Sequence, residues 1–132
     1  GIWQFDLGPV ASPGRLIAAA PSEALTPDVE GLALIDDAAG TWLIASSQGD
    51  SAFAIWKVDG EQPVYRGRFS VVAAGGVDAV TGTDGVAAHG GQAGSFPDGL
   101  VVMQDDIDEG ATDSRQNFKL VDWREVRKAL GL

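Results

Sequence analysis

The apolar residues of this chain come in short runs, and nearly every run is closed by Gly, Pro, Asp or Ser. "RLIAAA" (15–20) follows the Pro13-Gly14 pair, "TWLIASS" (41–47) is followed by Gln48-Gly49-Asp50, and "GLVVMQ" (99–104) by two aspartates. Runs of this length, bounded by turn-forming residues, read as strands rather than helices. Glycine accounts for 18 of the 132 residues, about twice its usual share of roughly 7%, and such an excess supplies tight turns. The expectation is an all-β fold.

Strands are predicted over 2–7, 15–20, 29–36, 41–47, 51–58, 64–72, 84–88, 99–104 and 116–121. Residues 41–58 form a hairpin with Gln48, Gly49 and Asp50 at its turn. Trp42, Phe53 and Trp56 are core residues of that sheet. One helix is predicted, over 122–130. Asp122 and Glu125 have nearly the spacing of a capping box, Arg127 and Lys128 suit the negative end of the helix dipole, and Gly131 is its stop.

At 132 residues with 45% hydrophobic side chains, the chain is long enough for one modest core. The formal net charge is −10, and the nine basic residues are scattered. That balance argues against nucleic acid and anionic membrane as partners. A solvated acidic surface and a set of carboxylates that collects cations both fit it. Without cysteine, disulfides, thiolate zinc sites and a cysteine nucleophile are excluded. No apolar run approaches the ~18 residues of a membrane span. No signal peptide is present, and a start at Gly1 reads as processed, cloned or truncated.

The stretch "LTPDVEGLALI" (25–35) places Asp28 and Glu30 two residues apart before an apolar run. In a strand those carboxylates share a face and repel. The pattern recurs: Glu30-Gly31-Leu32-Ala33 and Asp84-Gly85-Val86-Ala87 both read acid–Gly–apolar–Ala, with the acids 54 residues apart. Each is followed by a more apolar strand and then by one with an aromatic residue and a lysine. Repeats of three or four strands at this spacing suggest propeller blades. In a propeller the first strand of each blade lines the channel, so Glu30 and Asp84 would converge with Asp28 beside them. Carboxylates gathered in one cleft need cations or protons.

"LTPDVEGLALI", "GTWLIASSQGDSAFAIWKVDG", "TGTDG", "FPDGLVVMQD" and "RQNFKLVDW" together resemble the β-propeller phytases, the alkaline, calcium-dependent phytases. The resemblance implies the C-terminal blades of a six-bladed propeller with a short C-terminal helix. Residues 1–28 would be outer strands of a preceding blade, 29–76 a complete blade, and 77–132 the closing-blade strands plus the helix. It further implies calcium as cofactor, an inositol phosphate substrate, and the remaining blades as partners. Asp28 and Glu30 match carboxylates that bind calcium in the channel and at the phosphate site. Gln48 matches a channel-calcium ligand, and Asp84 a carboxylate of the catalytic cluster. Asp78 and Asp105 match positions of a structural calcium. Glu30 and Asp84 are the catalytic pair so implied, with metal-activated water as nucleophile. A secreted or periplasmic location follows from the same resemblance.

The sequence departs from the family at Gly82 and Ala87, where further acids are common, and its acidic loop is shorter. The run Asp105, Asp106, Asp108, Glu109, Asp113 fails the EF-hand pattern because Gly110 is out of register, so a solvated loop is as good a reading there. His89, without a second histidine, reads as a loop residue. Neither a Ser-His-Asp signature nor a phosphate-loop lysine is present. Two other readings stand beside the hydrolase: a non-catalytic propeller piece that binds calcium or a complementary half, and a different calcium-dependent propeller hydrolase.

Overall fold

A computed structural model describes residues 1–109 and 115–132. Strands β1 (Ile2–Gln4) and β2 (Arg15–Ala18) form a two-stranded antiparallel sheet. Strands β3 (Leu32–Asp37), β4 (Gly40–Ser47), β5 (Ala52–Lys57) and β6 (Val64–Phe69) form a four-stranded antiparallel sheet in chain order. Strands β7 (Val86–Gly90), β8 (Gly99–Asp105) and β9 (Asn117–Asp122) form a three-stranded sheet of the same kind. Helix α1 (Trp123–Leu130) ends the chain. The all-β expectation with one C-terminal helix holds, and the sheets have the meander order of propeller blades.

The four-stranded sheet is apolar on both faces, because each face meets another sheet. Ile35, Trp42, Ile44, Phe53 and Ile55 lie on one side and pack with Val80, Val101, Met103, Trp123 and Val126. Ala45, Ala54 and Trp56 face the other way and pack with Ile2, Ala24 and Leu25. Period-2 alternation thus separates two cores, one on each side of a single sheet. Trp42, Phe53 and Trp56 are core residues, as expected.

Several strands are shorter or shifted relative to the sequence pattern. The first ends at Gln4, and Phe5 and Leu7 lie exposed beyond it. The sixth ends at Phe69, after which the Val71 carbonyl accepts the N–H of Val80 outside the sheet. The third and seventh start at Leu32 and Val86, two or three residues after the predicted starts. There, backbone groups of Glu30 and Asp84 bond to side chains instead of a neighbouring strand.

Asp122 caps α1 by accepting the N–H of Arg124, and Gly131 closes it in the left-handed conformation at φ 65°. The helix is fastened to β3 through Asp37, which accepts the indole N–H of buried Trp123 at 2.8 Å, with the Arg127 guanidinium 3.6 Å away. Burial pushes the Asp37 carboxyl up. The hydrogen bonds from Trp123 and the Ala39 N–H, together with the charge on Arg127, outweigh it and hold the carboxyl below its ordinary 3.8.

Asp37→Ala leaves the Trp123 indole without this acceptor and is expected to cost about 1–3 kcal/mol, read by urea unfolding. The lowered folded-state pKa makes Asp37 stabilising above its unfolded value of 3.8. The difference between wild type and variant should therefore shrink as pH falls below that value.

Candidate functional site

Two glycines let the first strands of neighbouring sheets lie side by side. A Cβ on Gly31 would stand 2.8 Å from the Val86 nitrogen and 2.9 Å from the Asp84 carbonyl oxygen. At the other end, a Cβ on Gly90 would stand 2.0 Å from the Asp36 carbonyl oxygen. All three distances are too short for any side chain, so backbone meets backbone at each end of the β3–β7 seam. Residue 31 is beside 84–86 and residue 36 beside 90, so the two strands run in the same direction. Glu30 and Asp84, just ahead of their strands, are brought to one end of the seam.

The segments carrying those acids are gripped by consecutive polar residues at the end of the next strand. In the first unit these are Ser46 and Ser47, both buried. Ser46 Oγ accepts the N–H of Gly31 at 2.8 Å and that of Glu30 at 3.3 Å, and its own N–H donates to the Gly31 carbonyl. Ser47 Oγ accepts the N–H of Thr26 at 2.8 Å. In the second unit Gln104 and Asp105 do the same work. Gln104 Oε1 accepts the N–H of Asp84 at 2.8 Å, and its own N–H donates to the Gly85 carbonyl. Asp105 Oδ1 accepts the N–H of Thr81 at 2.9 Å. The repeat in the sequence therefore extends to the hydrogen bonds: Thr26 and Thr81, Ser46 and Gln104, and Ser47 and Asp105 are structural counterparts. These clamps went unassigned in the sequence. Their signal is a pair of polar residues closing an apolar strand, in "TWLIASS" and "GLVVMQD".

Gln48 connects the two units. Its N–H donates to the Asp28 carbonyl at 3.0 Å, and its side-chain amide donates to the Asp84 carboxylate across the seam. Asp28, Glu30 and Asp84 are exposed and Gln48 is half-buried. All four are oxygen donors, the set that suits a hard divalent cation. Among the described residues, however, no three Asp, Glu, His or Cys side chains close on one point. The arrangement is an open rim, able to contribute ligands to a cation but not to enclose one.

Asp78 and Asp105 also come together, and a lysine stands between them. Lys119 Nζ is 2.6 Å from Asp78 and 2.8 Å from Asp105, and it donates to the Asn117 amide oxygen at 2.8 Å. Burial alone would depress the Lys119 ammonium, but the hydrogen bonds to Asp105 and Asp78 outweigh it and hold the group above 10.5. The hydrogen bond from Lys119, helped by the N–H of Glu109, holds the Asp78 carboxyl below its usual value.

In the acidic loop, Asp106 accepts the Gln116 amide at 2.7 Å. Gly110 and Asp113 lie outside the described residues. His89 is on β7 rather than in a loop, because that strand runs two residues beyond its predicted end, and its side chain is exposed.

Comparison with known proteins bears on the whole of this arrangement. The family described as Phytase matches residues 1–132. A 3-phytase of Bacillus subtilis (strain 168) is 34% identical over 135 residues, which cover 98% of this chain and 35% of the relative. The chain thus spans about a third of the length of that relative.

Gly31→Ala and Gly90→Ala are each expected to destabilise by about 1–3 kcal/mol, because the new methyl group meets backbone that has no room to yield. Gly85→Ala is the control, since its Cβ would find nothing closer than Gln104 Cβ at 3.8 Å. It should stay within about 0.5 kcal/mol of wild type. Thermal unfolding of the three variants measures the contrast.

Proposed function

The chain belongs to the phytase family, and we propose that the protein it comes from is a calcium-dependent phosphomonoesterase acting on phytate. The observation that carries this reading is the seam between β3 and β7, where Gln48 reaches Asp84 and Asp28 and Glu30 stand at the same end. Phytate is a dense cluster of negative charge. A rim of carboxylates would repel it, and only a cation between the two makes such a rim useful.

In this reading Asp28, Glu30, Asp84 and the Gln48 amide oxygen are calcium ligands. Calcium held there would neutralise substrate phosphate and lower the pKa of a bound water. Ser46 and Gln104 fix the backbones of Glu30 and Asp84 through the bonds described above. Such outer partners commonly set how well a metal is held. Ligands beyond these four, and the cationic groups that hold substrate, come from the rest of the protein.

That division of labour is supported by the two ends of the fold. Leu32 and Leu34 on β3, with Trp3 and Leu16 beyond them, are exposed at one end. Phe118 and Leu120 on β9 are exposed at the other. Large side chains on strand faces ordinarily find cover, and further blades on both sides would supply it. We assign 1–28 to outer strands of a preceding blade, 29–76 to a complete blade and 77–132 to closing-blade strands plus the helix, in a six-bladed ring. A secreted or periplasmic location belongs to the same reading. The open faces also favour a second reading, in which the chain by itself is a non-catalytic piece that associates with a complementary half.

Phosphate release from phytate by the full-length protein should require calcium and vanish in a chelator. Glu30→Gln and Asp84→Asn should each lower it by on the order of 100-fold, at or above the upper end of the roughly 10–100-fold typical of outer-shell partners. Activity indifferent to both substitutions would overturn the assignment. The chain alone should release no more phosphate than its Glu30→Gln form. On gel filtration it should self-associate, and a compact monomer with cooperative melting would count against the second reading.

A further inference from the structure

Lys119 is the one buried cationic side chain among the described residues, and it lies where the family resemblance implied a metal. Its three N–H bonds are all used: to Asp78, Asp105 and Asn117, at 2.6–2.8 Å. The carboxylates are equally committed. Asp78 gives one oxygen to Lys119 and the other to the N–H of Glu109 at 2.9 Å. Asp105 gives Oδ2 to Lys119, while its Oδ1 accepts both the N–H and the hydroxyl of Thr81. Each carboxylate oxygen therefore has a donor, and the ammonium has an acceptor for each proton.

Calcium takes about six to eight oxygen ligands. Here two carboxylates and one amide oxygen already converge on a positive charge carried by the chain. Calcium at this point would have to displace an ammonium whose stem is fixed in β9, or be repelled by it. The donor set does not fit the structural calcium that the resemblance implied. We infer that Asp78 and Asp105 are the counter-ions of an internal cation, Lys119, and that this part of the protein is held together without calcium.

The site is a tie between four segments. Lys119 brings β9, Asp105 brings the end of β8, Asp78 brings the connection between β6 and β7, and Glu109 brings the acidic loop. Through Thr81 the same carboxylate steadies the segment that leads to Asp84. A covalently attached cation performs this service at any calcium concentration. The inference stands on the ion cluster itself and does not require the hydrolase reading.

The test uses the full-length protein and amine acetylation, followed by peptide mass spectrometry. Lys119 should react at least about tenfold more slowly than exposed Lys128, because its ammonium is buried and hydrogen-bonded, and equally slowly in calcium and in chelator. Acetylation of Lys119 at the rate of Lys128 once calcium is added would overturn the inference. A second measurement counts bound calcium by titration calorimetry. Asp78→Asn should melt lower than wild type yet bind the same number of ions, and loss of one ion in this variant would overturn it as well.

Discussion

Backbone contact along the β3–β7 seam is the constraint on which the rest depends. It exists because Gly31 and Gly90 carry no Cβ where the opposing chain passes within 2.0–2.8 Å of where one would be. Two sheets that met through side chains alone would stand about 10 Å apart. At the seam they are much closer, and that closeness puts Gln48, just past the end of β4, on Asp84, just ahead of β7. The same approach gives the two sheets a shared core, in which Ile35 and Trp42 meet Val101 and Trp123. Site geometry and packing are set by one contact.

Polar residues buried at strand ends do the second part of the work. Ser46, Ser47, Gln104 and Asp105 are buried, yet each has hydrogen-bonding partners that belong to the segment leading into β3 or β7. Burying polar groups is costly unless they are bonded. These bonds consume the backbone donors next to Glu30 and Asp84, and so leave the carboxylates themselves turned to the rim. The clamp is repeated with different chemistry, hydroxyls in one unit and an amide with a carboxylate in the other. The carboxylate version requires a cation and has one in Lys119.

Much of the fold was legible in the sequence. Short apolar runs closed by turn residues located the strands, and Asp122 and Gly131 bracketed the helix, because hydrophobic period and capping are local properties. Strand starts were misplaced at Val29 and Asp84 for a reason that is not local. The groups that replace the first rung of each ladder lie on Ser46 and Gln104, 16 and 20 residues from Glu30 and Asp84 in sequence. Similarly, "HG" at 89–90 looked like a loop, yet Gly90 is a strand residue whose lack of a side chain serves the strand beside it.

By itself, the sequence determined the strand content, the repeat that pairs Glu30 with Asp84, and the exclusion of disulfide and thiolate chemistry. These follow from residue type and spacing. Only the tertiary structure decided which carboxylates share a place and what stands between them. Asp78, Asp105 and Lys119 are far apart along the chain, and nothing in their spacing distinguishes a pair of metal ligands from a pair of lysine counter-ions. Folding brings the ammonium to 2.6 and 2.8 Å from the two acids, and a buried charge goes to the nearest opposite charge that the topology presents.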